Sequence, residues 1–272
     1  MAISSFIPKV WSARLQENLH KALVFGALCN RNWEGEISQW GDTVHINSLA
    51  DITVKAYTPN ADIADPEQLT GKDLTLVIDH GAYYNFYLND VDAAQARADL
   101  MDAAMRNAAI KLAEDAETYL LGVIRQGAGT KASGAIPAGG VYELLVQIKT
   151  ALDGKHMPKF GRKLVMPSSI ESQLLLDNRF ITGTAASDSR LAEGAVARAA
   201  GFDIYISADL TDEMVAMNSD SVTFANQITR TEAYRREKGF DDGVKGLSLC
   251  GAKVVLPECV YIHKITTVTE NQ

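Results

Sequence analysis

The chain has 272 residues, 47% hydrophobic and 22% charged, which is ordinary globular composition and enough for one large core or two small ones. Its net charge of -8, without clustered Lys and Arg, argues against a protein that reads DNA sequence. The N-terminus has no apolar signal region and no apolar stretch approaches bilayer length, so we expect neither export nor membrane anchoring. Cys29, Cys250 and Cys259 match no disulfide framework, which predicts reduced thiols made in a cytosol.

The N-terminal third changes from a helical to an extended pattern. Apolar residues at steps of four and three predict a short amphipathic helix over residues 7–25. From 43 to 57 and from 73 to 88, apolar and polar residues alternate, which predicts two strands. The segment between them is rich in Pro, Asp, Asn and Gly, so the strands should form one long hairpin. A two-stranded ribbon is only marginally stable alone, so it should pack on a surface of its own subunit or of a neighbouring one.

Residues 90–125 have the clearest periodicity in the chain. Apolar residues recur there at steps of three and four without a break, which predicts one continuous helix about 54 Å long. Its apolar stripe consists of Val91, Ala94, Ala98, Met101, Met105, Ala108, Leu112, Ala116, Tyr119 and Val123. Asp90 suits its N-terminus and Arg125 its C-terminus, and Gly127 ends it. A globular enzyme seldom contains so long a helix.

The remainder of the chain mixes helices and strands and predicts an α/β unit followed by further strands. The predicted elements are a helix over 141–153, a strand over 163–166, a helix opened by Pro167-Ser168-Ser169, a strand over 202–207, and strands near 247–249, 254–256 and 260–265.

No residue pattern favours catalysis. There is no G-x-S-x-G elbow, and the five histidines lie in unrelated contexts. Gly127 and Gly129 before Lys131 do not meet the spacing of a phosphate loop, and they follow a helix where such a loop follows a strand. We therefore predict a protein that is not an enzyme and has no cofactor.

Metal binding is also disfavoured. The three cysteines with His263 could hold zinc only if all four converged, and no close C-x-x-C pair is present. The pair Asp90 and Asp92 is explained by a helix dipole, and the pair Asp241 and Asp242 by a turn that ends in glycine. We therefore expect the three cysteines to be buried thiols and the aspartate pairs to be solvated, without a metal ion.

Four segments, taken together and in order, resemble the major capsid proteins of tailed bacteriophages, which have the Hong Kong 97-type fold. They are IPKVWSARLQENLHKALVFGALCNRNWEGEI near the start, GDTVHIN, GFDIYISADL, and the closing run RREKGFDDGVKGLSLCGAKVVLPECVYI. The resemblance covers nearly the whole chain. It agrees with the elements predicted from the residues, namely the N-terminal helix, the long hairpin, the long helix and the α/β unit.

The resemblance implies an α+β fold with four parts. These are an N-terminal arm (1–35), an extended loop or long β-hairpin that lies over a neighbouring subunit (36–88), a peripheral domain with a spine helix (89–135 and 222–272), and an α/β axial domain around the five-fold and six-fold axes (136–221).

It also implies a structural role. The major capsid protein would self-assemble as hexamers and pentamers into an icosahedral head, part of the virion, which is built in the host cytoplasm. The shell would enclose double-stranded DNA without sequence-specific binding, and an acidic wall would repel packed phosphate. No long helical extension precedes the arm, so a separate scaffolding protein is expected, together with a portal.

Assembly contacts are expected from the arm and from the polar tip of the ribbon, and the residues concerned are Trp11, Arg14, Asp62, Asp65, Glu67 and Lys72. Two alternatives remain open at this point. An encapsulin-like nanocompartment shell would be distinguished by protein rather than DNA inside its particles. A soluble α/β enzyme would elute as a monomer or small oligomer.

Overall fold

The computed structural model describes residues 23–32, 40–49, 71–89, 100–137, 140–176, 198–235 and 241–266, and a few positions between 53 and 59. The helices in these ranges are α1 (Phe25–Leu28), α2 (Leu100–Gly127), α3 (Val141–Asp153) and α4 (Ser168–Leu175). The strands are β1 (Thr43–Leu49), β2 (Gly71–Val77), β3 (His80–Asn89), β4 (Thr130–Gly134), β5 (Arg162–Met166), β6 (Arg198–Ala199), β7 (Phe202–Ile206), β8 (Glu213–Asn218), β9 (Val222–Arg235), β10 (Asp241–Val254) and β11 (Val260–Ile265).

The largest sheet has six strands in the order β4-β11-β8-β5-β7-β6. Its centre is antiparallel, since β8 lies between β11 and β5 and pairs with both in that sense. β4 extends the sheet in parallel beside β11, and β7 does so beside β5. The sheet therefore joins strands near residues 130 and 260 to strands between 162 and 218.

The two faces of this sheet cover two hydrophobic cores. On β8, Val215 and Met217 enter the core that α2 closes, while Met214 and Ala216 enter the core that α3 and α4 close. All six residues of β8 are buried. A strand covered on both faces is not expected to alternate between apolar and polar residues, and β8 shows no such alternation.

Helix α2 confirms the predicted long helix from Leu100 onward, and the predicted first turns at 90–99 lie outside the described residues. Its 28 residues span about 42 Å. The helix ends at Gly127, where Val254 leaves no room for a larger residue: a Cβ would lie 2.5 Å from its Cγ2.

The buried stripe of α2 follows the predicted periodicity but lies slightly to one side of it. Tyr119 and Val123 were expected in the stripe, yet they are only half-buried, and Leu120 and Ile124 take the fully buried positions. The helix packs this stripe partly on a three-stranded antiparallel sheet, in the order β3-β10-β9.

β1 and β2 form the predicted antiparallel hairpin, with Thr43 opposite Val77 and Leu49 opposite Gly71. The prediction of a single second strand over 73–88 is wrong. The chain leaves the ladder at Ile78 and Asp79, and β3 pairs with β10 instead. Period-two alternation shows which face of a strand is buried but does not identify its partner.

The described part of the hairpin also has a core within its own subunit, which the sequence did not indicate. Two strands of the hairpin pack on β9 and β10 through a small cluster, and its buried members are Val44, Ile46, Leu76, Ile78, Ala225 and Leu249. The tip of the predicted ribbon lies outside the described residues.

The predictions for the second half of the chain are largely confirmed. α3 has the predicted bounds, α4 follows Pro167, and β11 covers residues 260–265. Several features differ: β4, β6, β8 and β9 were not predicted, and residues 254–256 are not a separate strand because β10 runs through Val254. Most of the predicted helix over 7–25 lies outside the described residues, and α1 covers only Phe25–Leu28.

Candidate assembly surfaces

One face of the β3-β10-β9 sheet is directed away from α2 and carries exposed tyrosines. Along β3, Ala82, Tyr84 and Phe86 pack toward the core, and the alternate residues are exposed. Tyr83 is 79% exposed and Tyr87 57% exposed. We call this surface the tyrosine face, and its members are Tyr83, Asn85, Tyr87, Glu232, Tyr234 and Lys245.

Contacts across the strands order the tyrosine face. The Tyr234 hydroxyl donates a hydrogen bond to Asn85 Oδ1 at 2.7 Å, and its ring lies over Gly243, where a Cβ would be 2.5 Å from Cζ. Lys245 Nζ lies 3.0 Å from Glu232 and 5.8 Å from the centre of the Tyr234 ring. The lysine, through hydrogen bond and charge, holds the pKa of Glu232 below its usual range. Rigid aromatic groups beside satisfied polar groups are typical of protein interfaces.

The root of the hairpin, residues 40–42 and 77–81, is held closely to this sheet. Gly41 N donates to Ile78 O, and Ile78 N donates to Asp42 O, each at 3.0 Å. The Trp40 ring covers Gly81, where a Cβ would lie 2.6 Å from the ring. The hairpin therefore leaves the body at a point fixed by backbone hydrogen bonds and close packing.

The N-terminal segment 23–30 is anchored in the hydrophobic core that α2 closes. Phe25 and Leu28 are buried against α2, and Lys163 Nζ donates to Leu28 O at 3.0 Å. Asn30 then adds a parallel bridge to the edge of β9, where its N donates to Val222 O and its O accepts from Phe224 N. The chain that precedes residue 23 thus emerges from a fixed point of the body.

This architecture is that of known phage capsids. A chain from Mycobacterium phage Che8 is 26% identical, with a TM-score of 0.72, and the alignment covers 89% of this chain and 90% of that chain. The chain has the fold of the tailed-phage major capsid proteins. The predicted identification with the Hong Kong 97-type family is confirmed, and this capsid protein is a structural subunit and not an enzyme.

More distant structures share the fold of the capsid protein. The capsid of Cyanophage P-SCSP1u is 16% identical with a TM-score of 0.69, and 90% of this chain and 88% of that one align. A virus-like particle from Pyrococcus furiosus is 13% identical with a TM-score of 0.59, over 94% and 98%. No sequence profile of a protein family and no curated protein matches the chain.

The predicted assembly residues of the capsid protein lie largely beyond the described part. Trp11, Arg14, Asp62, Asp65 and Glu67 all fall outside it. For Lys72 only the backbone is described, and it lies in β2 opposite Ser48. These contacts remain predictions. The sequence reasoning missed the tyrosine face, although the alternation of residues 82–87 was visible, because that stretch was assigned to the hairpin.

Among the residues that the structure describes, the candidate chemical groups of the capsid protein do not form a site. Its three cysteines are free and buried, and burial, with a smaller contribution from nearby acids, raises the pKa of Cys29 and of Cys250 to about 12. No group of three or more metal-ligating side chains occurs among the described residues. Lys131 Nζ donates to Gln126 O at 3.3 Å, so it caps the end of α2. Within the same ranges, no helix has the length and apolarity needed to cross a membrane.

Proposed function

We propose that the capsid protein forms the head of a tailed phage, in which hexamers and pentamers of this chain enclose double-stranded DNA. The observation that carries the proposal is the match to phage capsid chains along most of both sequences. The hairpin and the long helix are also elements that a compact enzyme would not need. The particle would belong to the virion and would be built in the cytoplasm of the host.

We further propose the four-part division into an arm (1–35), an extended loop (36–88), a peripheral domain (89–135 and 222–272) and an axial domain (136–221). The packing of α2 on the β3-β10-β9 sheet supports the peripheral domain, and the pairing of β3 with β10 favours counting residues 80–88 with that domain and not with the loop. The six-stranded sheet crosses the boundary between the last two parts, because β4 and β11 pair into it. The two parts should therefore move as one body at this sheet.

The proposed contacts between copies involve the tyrosine face and the ribbon tip. A face with two highly exposed tyrosines is costly to leave in water over a whole shell, and burial against a second copy removes that cost. Asp62, Asp65, Glu67 and Lys72 at the tip, with Trp11 and Arg14 of the arm, would add polar contacts that are weak singly, about 0 to 1 kcal/mol, but repeated throughout a shell.

The net charge of -8 suits a wall that encloses DNA without retaining it, because like charges repel packed phosphate. We propose a separately encoded scaffolding protein, which would set the curvature, and a portal at one vertex. No sequence-specific DNA contact and no membrane contact is proposed.

Electron microscopy of the full chain, expressed in bacteria alone and with the scaffolding protein of the same genome, tests the proposal. The expected result is closed shells or curved sheets, and sizing should give material far larger than a small oligomer. Mass spectrometry of purified particles would separate the alternatives, since a specific protein cargo in place of DNA would indicate a nanocompartment. Subunits that stay monomeric in both expressions would contradict a shell protein.

A further inference from the structure

One turn of α2, residues 115–119, contacts the root of the hairpin. Asp115 Oδ2 lies 2.6 Å from His80 Nε2, and the Tyr119 hydroxyl donates to Asp79 Oδ1 at 2.5 Å. The rings of His80 and Tyr119 also stack, with centroids 4.5 Å apart and planes 13° apart. Asp79 and His80 lie where the chain passes from β2 to β3, so both side-chain contacts act at the point where the hairpin leaves the body.

The same turn holds the N-terminal segment from its other side. Glu117 is only 3% exposed, and its two carboxylate oxygens accept hydrogen bonds from Phe25 N and Gly26 N, each at 2.9 Å. Burial raises the pKa of Glu117, and the two amide hydrogen bonds oppose that rise. An apolar residue at this position would leave both buried amides without an acceptor, so the carboxylate holds the start of α1 against α2.

The spacing of the three residues explains how one turn can hold two segments. At about 100° per residue, positions 115 and 119 share one face of a helix, and position 117 lies on the opposite face. The helix is continuous through this turn, so the hairpin and the N-terminal segment are both held against one element. The exposed pair Lys111 and Glu114, 2.6 Å apart, directly precedes this turn on the same helix.

We propose that Asp115, Glu117 and Tyr119 are positioning residues for assembly, which fix the directions in which the hairpin and the N-terminal segment leave the subunit. This inference rests on the proposed function, because those directions matter only if neighbouring subunits receive the two segments. The ladder of seven pairs extends about 23 Å from its root. A rotation of about 10° at the root would displace its far end by about 4 Å, more than a close-packed interface tolerates.

The test compares Asp115→Asn, Tyr119→Phe and their double variant with Glu114→Gln, a control on the same helix. Hydrogen exchange of the full-length soluble subunit should show amides of 43–49 and 71–77 opening about fivefold more often in Tyr119→Phe, which loses one hydrogen bond. A smaller increase is expected in Asp115→Asn, because the neutral amide weakens the contact with His80 without removing every acceptor. Amides of 213–218, in the centre of the large sheet, should be unchanged. Glu117→Gln should produce the corresponding increase at residues 25–30.

The deciding measurement is the lowest subunit concentration at which shells form, followed by light scattering. We expect this concentration to rise several-fold in the double variant and to stay at the wild-type value in Glu114→Gln. An unchanged concentration in the double variant would overturn the inference and leave the proposed function intact. Faster exchange at 213–218 as well would also overturn it, because the residues would then be merely structural. Failure of the wild-type chain to form any shell would overturn the proposed function and this inference with it.

Discussion

Strands β8 and β3 have similar local roles, as members of sheets that pack on α2, but they differ in how they are covered. β8 is buried along its whole length, between two strands and between two cores. β3 lies at the edge of its sheet, with one face on the core and the tyrosines of the other face exposed. Substitutions in β8 should therefore affect folding alone, while those on the outer face of β3 should affect assembly alone.

The largest effect is expected from Val215→Asp, at the centre of β8. The carboxylate would enter the apolar core that α2 closes, and burial of the charge there should cost about 4 kcal/mol or more. We expect no soluble folded subunit. The same charge placed on the outer face of β3, in Tyr83→Asp, should leave the subunit folded, and loss of both proteins from the soluble fraction would break the comparison.

A smaller but clear loss is expected from Arg162→Ala in β5, the strand beside β8. The buried guanidinium donates to Met157 O at 2.7 Å and to Pro158 O at 2.8 Å, and pairs with Asp153 at 2.6 Å. Its removal leaves two carbonyls without donors, so the free energy of unfolding should fall by about 2–4 kcal/mol in urea titrations. Arg198→Ala, which breaks an exposed pair with Asp203, is the matched control and should cost at most about 1 kcal/mol.

His263 in β11, the other neighbour of β8, should make this region sensitive to acid. Its ring is buried, and burial lowers its pKa more than the nearby Gly134 backbone raises it. As pH falls, His263 is therefore protonated at a higher pH in the unfolded chain than in the folded one. The free energy of unfolding should decrease as pH falls below about 6.5, the usual pKa of histidine. Melting curves of wild type and His263→Phe should diverge at acid pH in favour of the variant. His156→Asn, at an exposed position with φ 57 that Asn tolerates, should follow the wild type.

The smallest change in stability is expected from Tyr83→Ser with Tyr87→Ser on the tyrosine face. Because both side chains are exposed, the free energy of unfolding should stay within about 0.5 kcal/mol of wild type. Shell formation should nevertheless require a higher subunit concentration. Equal assembly of this double variant and the wild type would show that the outer face of β3 is not a contact between copies.

Much of this fold could be predicted from the sequence, because its elements carry strong local signals. The periodicity of α2, the bounds of α3, the start of α4 after Pro167 and the strand β11 were all correct. The family resemblance, carried by four segments in order, was also correct. Local hydrogen bonding and a repeating apolar pattern suffice for such elements, since they involve residues close in sequence.

Strand pairing and the contacts between segments were decided only by tertiary structure. The alternation of residues 73–88 is continuous in sequence, yet the chain turns at Asp79 and β3 pairs with β10, about 160 residues away. The sequence did not indicate that Glu117 is buried either. Its partners are the backbone amides of Phe25 and Gly26, and a backbone amide leaves no pattern in the sequence. A sequence pattern determines which face of an element avoids water, whereas the packing of distant segments determines what covers that face.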